Sequence, residues 1–209
     1  MEILKFGDPG ASAVLIQPVD SHDLEEMDSE IELISSESPI KFRLVAVRVS
    51  DWNRDLSPWE APPVFGKNEF GGKAENTLGD ILSLCTEKEK NYIIGGYSLA
   101  ALFSLWSAYQ TDVFSGVAAA SPSVWYPGFT VFMRNHHIKT RVVCLSLGDK
   151  EDKSGNPVLA SVGNKIREAH GLLQNAGVDC VLEWNEGNHF RDSGKRTARA
   201  FLSVMRRLK

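Results

Sequence analysis

Residues 91–106 have the sequence NYIIGGYSLAALFSLW, which changes from a strand pattern to a helix pattern within a few positions. The apolar run at 92–94 is typical of a buried strand, and Gly95 and Gly96 after it indicate a sharp turn. Apolar residues then recur at helical spacing. They are Leu99, Leu102, Phe103 and Trp106. The segment therefore predicts a strand, a tight turn and a helix at the centre of the fold.

One hydroxyl, that of Ser98, lies at the junction of this strand and helix, with Gly96 and Ala100 two positions to either side. A serine between small residues in a strand–turn–helix is the pattern of a nucleophile elbow, in which a tight turn exposes the serine oxygen above the sheet. The sequence is Gly-x-Ser-x-Ala rather than Gly-x-Ser-x-Gly. The alternative is an ordinary helix with serine at its N-cap, a position that serine favours for its own hydrogen bonding.

The composition is that of a globular protein. The chain has 209 residues, of which 43% are hydrophobic and 24% charged, and its formal net charge is −4. This length suits one domain with a sizeable core, so we expect residues 1–209 to form a single domain. A weakly acidic chain is not typical of a nucleic-acid-binding protein. The one basic cluster alternates with apolar residues, which predicts the solvated face of a C-terminal helix. Its members are Lys195, Arg196, Arg199, Arg206, Arg207 and Lys209.

The sequence shows no sign of export, membrane insertion or cofactor binding. Its first residues lack the charged-then-apolar pattern of a signal peptide, and no apolar run approaches the ~18 residues of a membrane span. The three cysteines, Cys85, Cys144 and Cys180, lack paired spacing and are expected to be buried thiols. We therefore expect a cytoplasmic protein without a membrane partner. Neither metal-ligand spacing nor a dinucleotide-binding Gly-x-Gly-x-x-Gly is present, so no metal and no cofactor are expected.

Strand and helix patterns alternate along the chain. Residues 2–6 predict a short edge strand, and six apolar segments predict strands that are buried on both faces. These segments are 11–19, 41–49, 92–95, 114–120, 141–147 and 178–184. Amphipathic segments between them predict helices, including a long one at 158–176 and one after residue 20 whose glutamates are expected to face water. Those glutamates are Glu25, Glu26, Glu30 and Glu32. The alternation predicts an α/β fold, with a mostly parallel sheet and helices on both faces.

Residues 50–73 are expected to form a long aromatic-rich flap beside the site. A loop of this length in a compact domain is usually functional or disordered, and its aromatic content argues against disorder. Its aromatic residues and two that follow strand 114–120 are candidates for the walls of a substrate pocket, although packing of the loop explains each of them equally well. The six residues are Trp52, Trp59, Phe65, Phe70, Trp125 and Tyr126.

Two polar loops after later strands supply an acid and a histidine. Ser98, an acid and His189 occur in the order Ser…Asp/Glu…His that α/β-hydrolases show. The histidine would accept the serine proton during attack and return it to the leaving group, while the carboxylate would fix the imidazole tautomer. The predicted acid is Glu151, three residues after a strand-ending glycine. Asp149 is the alternative and Asp152 also stays open, because any of the three suits a solvated turn.

An oxyanion hole would require two backbone N–H groups near the serine. One should belong to Leu99, the residue after the nucleophile, and the other to the loop after the first main strand. Pro18 in that loop has no N–H, so the second donor is expected at Val19 or Asp20.

Four segments, at 96–100, 119–125, 147–151 and 187–190, carry a family resemblance. Together they resemble the esterase branch of the α/β-hydrolase superfamily, which includes esterase D-like, feruloyl esterase-like and siderophore esterases. The resemblance covers roughly residues 11–208 and is strongest at the Ala-Ser-Pro-Ser-x-Trp segment. It implies the α/β-hydrolase fold and hydrolysis of a carboxylic ester without a cofactor.

Two features depart from that family pattern. Ala100-Ala101 stands where many relatives have Gly-Gly, and Gln17-Pro18-Val19-Asp20 stands where they have a His-Gly or Asp-Gly signature. Because the chain begins almost at this strand, we expect a hydrolase core that is trimmed at its N-terminus. The predicted function is a serine esterase acting on a small-molecule ester through an acyl-enzyme. The alternatives are a non-catalytic ligand-binding or scaffold protein with the same fold, and a thioesterase with the same mechanism. The oligomeric state stays open, with a homodimer as one form.

Overall fold

The computed structural model describes residues 2–64 and 66–208, and strands alternate with helices along most of them. The strands are β1 (Glu2–Gly7), β2 (Ala13–Val19), β3 (Phe42–Arg48), β4 (Glu60–Ala61), β5 (Phe70–Gly71), β6 (Asn91–Tyr97), β7 (Phe114–Ala120), β8 (Val142–Gly148) and β9 (Asp179–Asn185). The helices are α1 (Ser21–Glu37), α2 (Trp52–Leu56), α3 (Ala74–Leu82), α4 (Ser98–Gln110), α5 (Phe129–Asn135), α6 (Pro157–Ala160), α7 (Val162–Asn175) and α8 (Ser193–Arg207).

Seven of these strands form one sheet, in the order β1-β3-β2-β6-β7-β8-β9. All neighbouring pairs are parallel except β1 and β3, which are antiparallel. Helices between parallel strands are the crossovers that such pairs require. The predicted mostly parallel sheet and the edge strand at the N-terminus are confirmed.

Helices cover both faces of the sheet. Successive side chains of a strand point to opposite faces, so a strand that is apolar throughout has an apolar surface on each face that must be buried. On β2, Val14 and Ile16 join a core cluster with residues of α3, α4 and α7. Leu15 and Val19 of the same strand join a second cluster with residues of α1 and α8. The continuous apolar runs of the sequence thus supply two cores, and the prediction of helices on both faces is confirmed.

The flap at residues 50–73 has regular structure that the sequence interpretation did not include. It contains α2 and a two-stranded hairpin of β4 and β5. The Asp51 side chain caps α2 by accepting the Arg54 N–H at 3.0 Å, and the Gly72 N–H donates to Ser57 Oγ at 2.8 Å. These local polar contacts fold a segment that lacks hydrophobic periodicity. Phe65, one of the predicted pocket residues, lies outside the described residues.

The helix predicted over 158–176 is wrong in its first turn, because the structure has two helices, α6 and α7, that meet at Ser161. The Asn156 side chain accepts the N–H groups of Val158 and Leu159, and Pro157 occupies the first helical position. These are start signals of a separate helix. The apolar spacing alone therefore merged two elements.

Glu30 on α1 does not face water as predicted. It is buried against Gln17 of β2, whose side-chain amide donates to Glu30 Oε2 at 3.3 Å. Burial raises the pKa of Glu30 to about 8, and the nearby Asp23 adds to the increase. The amphipathic pattern assigned a charged residue to solvent, but its position places it between the helix and the sheet.

The cysteines agree with their prediction as unpaired thiols. Cys144 and Cys180 are buried, Cys85 is half-buried, and none of them forms a disulfide. Within residues 2–64 and 66–208, no helix combines the length and apolarity that crossing a bilayer would need.

Candidate active site

Ser98 occupies the sharp turn at which β6 becomes α4. Its φ of 54° lies in the left-handed region, which is strained for a non-glycine residue. A Cβ atom at Gly96 would lie 2.8 Å from the Ala100 Cβ, and one at Gly95 would lie 2.7 Å from the Ala118 carbonyl oxygen. The small residues on either side of the serine, Gly96 and Ala100, thus approach each other too closely for a side chain at Gly96.

The structure brings Ser98, His189 and Glu151 together at the carboxyl edge of the sheet. Ser98 Oγ lies 3.0 Å from His189 Nε2, and His189 Nδ1 lies 2.7 Å from Glu151 Oε2. The three residues follow β6, β9 and β8, whose carboxyl ends meet at one edge because these strands are parallel. Among the acids left open, Asp149 instead accepts the Gly187 N–H at 2.7 Å, and Asp152 pairs with its neighbour Lys153.

Glu151 is a buried carboxylate whose two oxygens have separate partners. Oε2 accepts from His189, while Oε1 accepts from Ser121 Oγ at 2.7 Å and from the Gly148 N–H at 2.7 Å. Burial acts to raise the pKa of Glu151, but the hydrogen bonds from His189, Gly148 and Ser121 outweigh it and hold the pKa below its ordinary value. The carboxylate is therefore ionised at neutral pH. It accepts a hydrogen bond from the Nδ1–H of His189, which leaves Nε2 as an acceptor for Ser98.

Arg196 of α8 is the second charged residue at this carboxylate, and its assignment to a solvated helix face is wrong. Only 2% of Arg196 is exposed, and its guanidinium donates to Glu151 Oε1, to Tyr97 Oη and to the Glu186 carbonyl, each at 3.0 Å. The Tyr97 hydroxyl in turn donates to the His189 carbonyl at 2.8 Å. A signal was available in the sequence, because Arg196 stands four residues before Ala200 on the apolar side of the helix.

The three predicted oxyanion donors differ in whether their backbone N–H groups are free to donate to a substrate. Leu99 is the second residue of α4, where a backbone N–H has no acceptor within the helix. The Asp20 N–H already donates to the Asp23 carboxylate at 3.1 Å in the capping box of α1, so the prediction of Asp20 is wrong. Val19 is fully buried in β2 and does not border the cavity that contains Ser98.

A cavity of about 440 Å³ opens above Ser98 and His189, and its walls are mostly apolar. Trp52 of the flap and Trp125 both border it, as predicted, and Phe190 stands 90% exposed at its mouth. The contact of Trp52 and Trp125 with a substrate stays a prediction. Other lining residues include Lys150, Lys153, Leu159 and Val162.

Trp59 and Tyr126 do not border this cavity, so their prediction as pocket walls is wrong. Tyr126 is buried, and its hydroxyl donates to the Trp59 carbonyl at 2.5 Å. The Trp59 indole N–H donates to the Pro127 carbonyl at 2.9 Å, and the two rings lie 5.6 Å apart. The pair fastens the flap to the loop after β7, which is the packing role that the sequence had left open.

No family model and no curated protein matches this sequence, whereas many solved structures match the fold. The siderophore hydrolase EstA from Aspergillus nidulans has a TM-score of 0.68 at 19% identity, over 97% of this chain and 86% of that one. An IroE-like serine hydrolase from Shewanella oneidensis has a TM-score of 0.73 at 16% identity, over 98% of this chain and 74% of that one. The enterobactin esterase FES from Shigella flexneri has a TM-score of 0.67 at 12% identity, and the match covers 99% of this chain but 56% of that one. Sheet order, elbow and these likenesses together show that the chain has the α/β-hydrolase fold.

Proposed function

We propose that this protein is a serine hydrolase that cleaves a carboxylic ester of a small molecule through an acyl-enzyme on Ser98. The observation that carries the proposal is the hydrogen-bonded line from Ser98 Oγ to His189 (3.0 Å) and from His189 to Glu151 (2.7 Å). A serine hydroxyl needs such a base, since it is a weak nucleophile at neutral pH. The line ends in an open cavity, so a substrate carbonyl has access to the serine oxygen.

Acylation follows from these positions. Ser98 Oγ forms a bond to the acyl carbon as its proton passes to His189 Nε2, and the carbonyl oxygen takes up the negative charge. The Leu99 N–H at the start of α4 is one donor to that oxygen. The C–O bond of the ester then breaks, and His189 gives its proton to the departing alcohol.

Deacylation repeats these steps with water as the nucleophile. His189 removes a proton from the water, the second tetrahedral adduct collapses, and the proton returns to Ser98 Oγ as the acid leaves. Glu151 remains ionised throughout and stabilises the imidazolium, which agrees with its lowered pKa. Nucleophile, base and acid are all side chains of this chain, so we infer that the reaction proceeds without a cofactor.

The cavity favours an ester whose acyl group is small or aromatic. Its volume of about 440 Å³ lies within the range of small-molecule sites, and Trp52 and Trp125 provide aromatic walls. The solved neighbours include proteins named as a siderophore hydrolase and a ferulic acid esterase, which is consistent with ester chemistry on this fold. Thioester cleavage would use the same steps. A single domain, a cytoplasmic location and a homodimer stay predictions.

The test is a panel of p-nitrophenyl esters from acetyl to long-chain and aryl groups, with one thioester, and labelling by a fluorophosphonate. Ser98→Ala should lower hydrolysis by at least about a thousandfold and abolish the label, because it removes the nucleophile. Ser107→Ala is the matched control, since Ser107 is a second serine of α4, is fully buried, and donates its hydroxyl to the Phe103 carbonyl. Hydrolysis or labelling that persists in Ser98→Ala would refute the proposal.

A further inference from the structure

A second hydroxyl lies directly beside the nucleophile. Ser123 Oγ is 3.2 Å from Ser98 Oγ, and only 1% of Ser123 is exposed. The two residues are also joined through the backbone, because the Ser123 N–H donates to the Ser98 carbonyl at 3.1 Å. Ser123 does not border the cavity above Ser98, so its hydroxyl approaches the serine oxygen from the protein interior.

The direction of the bond between the two hydroxyls follows from the protons present. His189 Nδ1 donates to Glu151, so Nε2 of the neutral ring is an acceptor. Ser98 has a single hydroxyl proton, which it donates to Nε2. The Ser98 oxygen can then offer Ser123 only a lone pair, and Ser123 is the donor.

The loop that holds Ser123 is constrained from both sides. Ser121, at the end of β7, has a φ of 45° in the left-handed region, and its hydroxyl donates to Glu151 Oε1 at 2.7 Å. Pro122 follows with a fixed φ, and the Ser123 carbonyl accepts the Tyr126 N–H at 2.9 Å. Strained backbone of this kind persists where its surroundings determine it, and it concentrates at functional sites.

From these contacts we infer that Ser123 is a further catalytic residue of the proposed hydrolase, which donates a hydrogen bond to the nucleophilic oxygen. The bond occupies one lone pair of Ser98 Oγ on the interior side, and thereby directs its proton to His189 and its other lone pair to the cavity. This inference rests on the proposed function of Ser98. It gives a chemical role to the second serine of the Ser-Pro-Ser segment, which the triad does not use.

The role is consistent with proton balance in both half-reactions. In acylation the Ser98 proton moves to His189 while the Ser123 proton stays on Ser123, where its hydrogen bond stabilises the charge that develops on Ser98 Oγ. In deacylation Ser98 Oγ is the leaving group, and the same hydrogen bond stabilises it until His189 returns the proton. Ser123 therefore acts on the chemical steps and not on substrate binding.

The experiment compares wild type, Ser123→Ala and Ser123→Cys, with Ser107→Ala as the matched buried-serine control and Ser98→Ala as the blank. For each protein one measures kcat and KM on the best ester of the panel, the second-order rate of fluorophosphonate labelling, and the thermal midpoint. Ser123→Ala should lower kcat and the labelling rate about fivefold to tenfold, the factor expected for one neutral hydrogen bond. KM should stay within about twofold, because Ser123 does not border the cavity. The kcat and labelling rate of Ser123→Cys should fall between those of wild type and Ser123→Ala, since a thiol is a weaker donor of similar size.

The outcomes separate this inference from the function on which it rests. Wild-type rates in Ser123→Ala, or a loss confined to KM, overturn the role of Ser123 while leaving Ser98 as the nucleophile. A loss no larger than that of Ser107→Ala overturns it as well. If Ser123→Ala does not fold, then Ser123→Cys provides the comparison, and wild-type kcat in that variant overturns the role. Absence of hydrolysis and labelling in the wild type overturns both proposals.

Discussion

The buried ion pair beside the candidate triad gives the sharpest stability prediction. We consider Arg196→Met, which keeps an unbranched apolar side chain but removes the guanidinium. Arg196 and Glu151 are 2% and 3% exposed at their side chains, and their closest atoms are 3.0 Å apart. Removing the arginine leaves a buried carboxylate that has lost its cationic partner.

The expected loss follows from that imbalance. Breaking a buried ion pair by deleting one partner costs about 3–5 kcal/mol, because the remaining charge is uncompensated. Tyr97 Oη and the Glu186 carbonyl also lose a donor, which places the loss in the free energy of unfolding at about 4–5 kcal/mol. For a chain of this length, such a loss lowers the melting temperature by about 8–20 °C.

Urea unfolding at neutral pH, followed by tryptophan fluorescence, measures this loss. Arg206→Met is the matched control, because Arg206 is on the same helix and pairs with Glu37 at 3.1 Å, but both side chains are about half exposed (52% and 48%). Exposed pairs of this kind contribute less than about 1 kcal/mol. In the double variant with Glu151→Gln, the loss should be smaller than the sum of the two single losses, since neither charge is left alone.

Two results would refute the reasoning. A loss in Arg196→Met that does not exceed that of Arg206→Met would mean that the guanidinium does not compensate the carboxylate. Additive losses in the double variant would mean that Arg196 and Glu151 do not interact, and that the 3.0 Å contact has no energetic weight.

Three further predictions concern other parts of the molecule. Glu30→Gln should raise the free energy of unfolding by about 5 kcal/mol at pH 9 but not at pH 4.5. The folded-state pKa near 8 lies above the ordinary value, so the native glutamate loses stability as the pH rises from about 4.5 to 8. Urea titrations at the two pH values, with the exposed Glu25→Gln as control, test this. Gly96→Ala should lower the free energy of unfolding by about 1–3 kcal/mol through overpacking. Gly171→Ala in α7 should raise it by about 0.5–1 kcal/mol, because a Cβ there meets open space. Thermal melts in which Gly96→Ala is the more stable of the two variants would contradict this prediction. Trp125→Ala should raise KM for aryl esters more than for acetyl esters, because Trp125 borders the cavity. Equal changes in the two KM values would show that Trp125 does not contact the aryl group.

The sheet and the three central side chains were predictable because each depends on a local pattern. Apolar runs locate strands that are buried on both faces, and parallel strands bring their carboxyl ends to one edge. Polar residues that follow such strands must therefore lie near one another, however far apart they are in the chain. Ser98 and His189 are 91 positions apart in the chain, yet Ser98 Oγ and His189 Nε2 lie 3.0 Å apart.

The two buried ionisable residues, Glu30 and Arg196, were predicted to face solvent because their residue type was given more weight than their position on the helix. Amphipathic helix patterns assign ionisable residues to solvent, and that rule fails where a residue on another element supplies a buried hydrogen-bond partner. Arg196 has its partner 45 positions away, and Glu30 has its partner 13 positions away on a different element. The prediction of the pocket-wall residues was only partly correct, because aromatic content alone cannot distinguish the two tryptophans of the flap. Trp52 borders the cavity, whereas Trp59 packs the flap against the loop after β7.

The Ser-Pro-Ser segment was noticed in the sequence, but its contacts with the candidate site were not predicted. It was the strongest local resemblance in the sequence, and the order of strand-end residues gave it no chemical task. In the structure, one of its hydroxyls donates to Glu151 and the other lies against Ser98, so a three-residue loop contacts both ends of the hydrogen-bonded line. Two hydroxyls at such spacing can reach both ends only if the loop is tightly turned, which accounts for the left-handed Ser121 and for the proline between them. We therefore interpret the Ser-Pro-Ser sequence as a requirement of the loop's backbone geometry, which holds one hydroxyl against Glu151 and the other against Ser98.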